Sequence, residues 1–153
     1  VFGIESTIIS IRDKKVYIHR HGAISAEELS AVAGAVYEKN EGGVCEAPGE
    51  LPYHYAPSKP LRLIDTPVGI ETEKSAFLSF GIPEQNVVSK YIKVLSEKRD
   101  LREAAANFFS SLIELDNKDV EIIYAEKIPE TGLGKAMMDR LRKASKKYRH
   151  TTR

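Results

Sequence analysis

The chain has 153 residues, 42% of them apolar and 29% charged, with a net charge of +1. That length holds one ordinary domain, or one domain with part of another, and the balance excludes disorder over the whole chain. No apolar run approaches the roughly 20 residues of a membrane span, and a single cysteine, Cys45, excludes an internal disulfide framework and fits a reducing cytoplasm.

In chain order, Thr7 to Arg12 and Val16 to Arg20 are β-branched and alternate, with Asp13-Lys14-Lys15 between them, which predicts a hairpin. Ser25 followed by Glu28 forms a capping box, and a helix is expected from there to about residue 39. Leu29, Val32, Ala33, Val36 and Tyr37 would be its buried stripe, with the stop before Asn40, Gly42 and Gly43. Residues 41–60 hold four prolines, three glycines and the tripeptide Tyr53-His54-Tyr55 without any period, and read as an extended strap.

From Leu61 the pattern becomes βαβαβα. Leu61 to Asp65 predicts a strand, Ile70 to Phe80 a helix ended by Gly81 and Pro83, and Val87-Val88 with Tyr91 to Leu95 one broken strand or two short ones. Asp100 caps a helix with Leu101, Ala104, Ala105, Phe108, Phe109, Leu112 and Leu115 inward. Val120 to Ala125 predicts a strand, and Gly134 to Lys147 a last helix with Ala136, Met137, Leu141 and Ala144 on its apolar side. Such alternation specifies an α/β protein with a mainly parallel sheet.

The charge is uneven. From Lys135 to Arg153 there are eight Lys or Arg and one acid, Asp139; 15 basic and 21 acidic residues precede them, so the two segments carry +7 and −6. A basic end of this kind can contact RNA, although a solvated helix terminus accounts for it more economically. Ser6 and Thr7 place two hydroxyls at a strand start, where they can bond a carboxylate or phosphate. Arg20 ends the next strand beside His21-Gly22, and a guanidinium next to glycine can approach phosphate closely. On neighbouring strands, Ser6 and Arg20 can face one site. His19 and His21 share a strand face but have no third ligand at metal-site spacing. Gly132-Leu133-Gly134 is better explained by close helix–strand packing than by dinucleotide binding.

The stretches GIESTI (3–8), RHGAIS (20–25), APGELPYHYAP (47–57), REAAANFFSSLIELD (102–116) and GLGKAMMDRL (132–141) together resemble the two-domain L-threonylcarbamoyladenylate synthases, which join a YrdC-type domain to a small Rossmann-like one. The resemblance implies a chain divided into a C-terminal remnant of the YrdC-type domain (1–39), an interdomain strap (40–60) and a Rossmann-like domain (61–153). It implies synthesis of threonylcarbamoyl-AMP and pyrophosphate from L-threonine, bicarbonate and ATP, with Mg in the complete enzyme, for threonylcarbamoyladenosine modification of tRNA. Ser6 and Thr7 would hold threonine, while Arg20 and the strap's Tyr55 would bind ATP.

His21 stands where the family usually has proline. The family's lysine-x-arginine signature and serine–asparagine segment are absent. The chain is therefore expected to be a C-terminal portion, cytoplasmic, inactive alone, without bound cofactor, and prone to self-association through exposed edges. The alternative is a non-catalytic Rossmann-like module docking tRNA or a partner protein.

Overall fold

A computed structural model describes residues 3–38, 56–65, 73–84 and 87–147. Strands β1 (Ile8–Arg12) and β2 (Lys15–Arg20) form the expected antiparallel hairpin. Its two turn residues, Asp13 and Lys14, have φ of 50° and 59°, the paired positive values that match the twist of the flanking strands. The register slips between Ile8 and Ile9, and Ile8 faces Arg20. Residues 5–7 are thereby brought beside Arg20 and the loop that follows it.

Helix α1 (Ala26–Ala33) starts where the capping box puts it: Ser25 Oγ accepts from the Glu28 amide at 3.1 Å, and Glu28 accepts from the Ser25 amide at 2.8 Å. It is shorter than expected and its stripe is not buried. Gly34 ends it at φ 76°, a conformation glycine adopts without a Cβ penalty. Val36 and Tyr37 then enter strand β3 (Val36–Glu38), parallel to β2, where the Tyr37 ring lies 5.5 Å from that of Tyr17. Val32 is 91% exposed, because no described element packs on that face.

The second sheet is built from β4 (Leu61–Ile64), β5 (Ser75–Ser79), β6 (Tyr91–Val94) and β7 (Ile122–Glu126), in the order β4-β7-β5-β6. Each neighbouring pair is parallel. The helix expected over Ile70 to Phe80 is overturned at its C-terminal half, since Ser75–Ser79 is a central strand buried on both faces. A strand of that kind shows no alternation, so its apolar run imitates a helix segment. Val87 and Val88 carry no strand, which leaves β6 as one short strand.

Helices α2 (Leu101–Asp116) and α3 (Leu133–Lys147) share one core with β5 and β7: Ala76, Leu78 and Ile123 pack with Phe108, Leu112, Met137 and Leu141. At the start of α2, Asp100 accepts from the Glu103 amide at 2.8 Å. Glu103 does not complete a capping box; it takes the Ser96 hydroxyl, which itself accepts from the Asp100 amide. Among the described residues no helix is long and apolar enough to cross a membrane.

Candidate functional site

Residues 5–7 and 20–25 cross at close range. A Cβ on Gly22 would stand 2.3 Å from the Glu5 carbonyl oxygen, so only glycine lets the two backbones meet. The contact is tied by the Ala23 amide donating to the Glu5 carbonyl at 2.7 Å. Thr7 Oγ1 accepts from the Ile24 amide at 3.1 Å and donates to the Ile24 carbonyl at 2.5 Å.

Against this crossing lies Arg20, whose side chain is 8% exposed. Its Nη2 donates to the Ser6 carbonyl at 2.9 Å and to Ser6 Oγ at 3.3 Å, and its Nε to the same carbonyl at 3.2 Å. Its Nη1 stands 3.6 Å from Glu5 Oε2. The structure brings Ser6 and Arg20 together, with Arg20 at the end of β2 and Ser6 just before β1 rather than on it. Ser6 is exposed, its hydroxyl accepting from Arg20, whereas the Thr7 hydroxyl is bonded to the Ile24 amide and carbonyl. Tyr55 lies outside the described residues, as do Cys45 and most of the strap.

Two further residues belong to this constellation and have no signal of their own in the sequence. Glu5 Oε2 also accepts from Arg140 Nη2 of α3 at 3.1 Å, and Arg140 is buried. Arg140 Nη1 in turn donates to Asp139 Oδ2 at 3.0 Å. Beside them His21 Nε2 lies 3.6 Å from Glu38 Oε1, an acceptor shared with Lys135 Nζ at 3.3 Å. Burial dominates the His21 ring and lowers its pKa; Glu38 opposes that shift and Lys135 assists it.

His19 does not join His21: its Nε2 is 2.7 Å from Ser10 Oγ. Among the described residues no three His, Cys, Asp or Glu side chains converge on a metal position. At the start of α3, Gly134 makes a close approach, but to the loop between β7 and α3 rather than to a strand: a Cβ there would fall 1.8 Å from the Pro129 carbonyl oxygen. Several cations of α3 are engaged: Arg142 with Glu130, Lys143 with Asp139, and Lys147 with the Pro57 carbonyl.

A four-stranded parallel sheet with two helices, joined to a hairpin at a crossing that holds Ser6 and Arg20 together, defines an α/β protein. The family profile described as threonylcarbamoyl-AMP synthase, C-terminal domain, matches residues 24–146, and the chain belongs to that family. Proteins named threonylcarbamoyl-AMP synthase are similar over 94% of this chain: one from Bacillus subtilis at 31% identity and one from Pyrococcus abyssi at 33%. The chain spans 45% and 46% of their lengths, a little under half.

Among solved structures, P. abyssi Sua5 complexed with L-threonine matches with a TM-score of 0.74 and 26% identity, over 94% of this chain and 46% of that one. A P. abyssi Sua5 variant with a histidine and the following tyrosine both changed to alanine matches with a TM-score of 0.76, at 27% identity and over 95% of this chain and 46% of that one.

Proposed function

We propose that the chain serves as the C-terminal portion of an L-threonylcarbamoyladenylate synthase. The complete enzyme joins L-threonine, bicarbonate and ATP into threonylcarbamoyl-AMP and releases pyrophosphate, as a cytoplasmic step of tRNA threonylcarbamoyladenosine modification. The observation that carries this reading is the junction of Ser6 and Arg20, in a chain whose fold matches a relative complexed with L-threonine.

In this reading the exposed Ser6 hydroxyl bonds the threonine carboxylate, and Thr7 contributes by fixing the Ile24 backbone. The Arg20 guanidinium, a planar fork held by Ser6 and Glu5, would meet ATP phosphate oxygens by exchanging one of those partners for them. Tyr55 acts from the strap as a lid over the nucleotide. The chain's one His-Tyr dipeptide is His54-Tyr55, the same residue pair as was changed in the second P. abyssi structure. The division is a YrdC-type remnant (1–39), a strap (40–60) and a Rossmann-like domain (61–153).

The decisive assay is pyrophosphate release from ATP, threonine and bicarbonate. The chain alone is expected to release none, and the full-length protein to release it only with all three substrates. Release by the chain alone would overturn its dependence on the other half. A full-length protein inert with all three would overturn the synthase reading.

A further inference from the structure

Arg140 is remote from Ser6 in sequence and lies on a helix of the parallel-sheet domain, yet its side chain is only 6% exposed. A buried guanidinium is tolerated only where its charge is met, and two carboxylates meet this one, Asp139 and Glu5. Glu5 Oε2 accepts from Arg140 Nη2 at 3.1 Å and forms an ion pair with Arg20 Nη1 at 3.6 Å. Glu5 directly precedes Ser6, and both its side chain and its carbonyl are engaged, the carbonyl by the Ala23 amide.

The residues before it are held from the same domain. A Cβ on Gly3 would stand 2.3 Å from the Ala106 carbonyl oxygen and 2.4 Å from that of Ala105, both on α2, and Ile4 is part of the core that α2 and α3 share. The peptide that carries Ser6 is thus seated on α2 through Gly3 and Ile4 and fastened to α3 through Glu5.

We infer that Arg140 is a positioning residue for the Ser6–Arg20 site, acting through Glu5, so that the parallel-sheet domain sets the aim of the threonine- and ATP-binding side chains. The inference rests on the synthase reading and assigns the domain a task beyond supporting the strap. Arg140 touches no substrate. Its effect runs through a fixed carboxylate that orients one guanidinium and the peptide beside it, so its loss acts on substrate binding more than on the chemical step.

The test compares Arg140→Gln with Arg140→Lys. In the chain itself, hydrogen exchange by NMR is read at the Ala23 amide and at Arg20 Nε. Arg140→Gln is expected to speed both about tenfold, as loss of a hydrogen bond to a charged group would. The amides of β5 and β7 should keep their wild-type rates, and Arg140→Lys should recover part of the protection. In the full-length protein, Arg140→Gln should raise KM for L-threonine about tenfold and change kcat by no more than about twofold.

Unchanged exchange at Ala23 and Arg20, or a uniform rise that includes β5 and β7, would overturn the inference, the latter by making Arg140 merely structural. An unchanged KM would overturn it whatever the exchange rates do. A wild-type full-length protein that makes no product defeats the synthase reading instead, and does so without altering the exchange result.

Discussion

Gly134 shows how a single missing Cβ decides between two opposed effects. It sits in the first turn of α3, where alanine would ordinarily stabilise the helix by about 1 kcal/mol over glycine. Here a Cβ would stand 1.8 Å from a backbone carbonyl oxygen, that of Pro129, which cannot rotate away as a flexible side chain would. Overpacking of that kind costs about 1–3 kcal/mol and here exceeds the propensity gain. Gly134→Ala is therefore expected to destabilise the chain by about 1–2 kcal/mol, read as a lower urea midpoint with an unchanged slope. An equal or higher midpoint would show that the Pro129 loop yields freely. Of the glycine pair only Gly134 is a packing device; Gly132 has open space at its Cβ position and is set apart by its φ of 49°. Ser6 and Arg20 were legible because Ser6 stands at the start of one β-branched run and Arg20 at the end of the next. Glu5–Arg140 was not: the two residues are 135 positions apart, and nothing local marks either as a partner.

At the scale of elements, the end of the strap is fastened to α2 by one carboxylate. Asp116 Oδ2 accepts from the Ser58 amide at 2.9 Å, and its Oδ1 accepts from the Ser58 hydroxyl at 2.9 Å and the Lys59 amide at 3.1 Å. Burial works against the charge, but these three bonds and the Lys59 ammonium outweigh it and lower the Asp116 pKa. Because the folded value is the depressed one, this contribution is fully present above the ordinary aspartate pKa of about 3.9 and is lost as pH falls through the folded value. Asp116→Asn should cost about 1 kcal/mol near neutral pH, and the gap to wild type should close in strong acid. A gap that persists below about pH 2 would assign the effect to packing rather than charge. Element types were readable where local chemistry fixes a boundary, as Ser25 with Glu28 and Asp100 do for α1 and α2. They were misread where tertiary burial decides. Ser75–Ser79 is covered on both faces and loses the alternation of a strand, and the stripe of α1 ran on past Gly34 because its period continues into Val36 and Tyr37.

For the whole molecule, the uneven charge has a structural answer that bears on the rival reading of the chain as an RNA-docking module. The segment from Lys135 onward carries +7 against −6 in the remainder, which on its own would give a basic stripe. In the fold the two halves meet. Lys135 pairs with Glu38, Arg140 with Glu5, and Arg142 with Glu130, each joining α3 to an acid from the earlier part of the chain. Lys143 is held by Asp139 and Lys147 by the Pro57 carbonyl. A cation already paired with a carboxylate adds little to affinity or to its salt dependence, which leaves Lys146, whose charge no carboxylate meets among the described residues. The chain should accordingly bind unmodified tRNA no more tightly than non-specific binders do, with Kd of about 10 μM or weaker near 0.15 M salt. The slope of log affinity against log salt should be shallower than about −3, the value expected if fewer than about four phosphates are engaged. Fluorescence anisotropy over a salt series measures both. A slope steeper than about −5 would mean that the α3 ion pairs open to receive RNA, and would favour the docking module over the synthase portion.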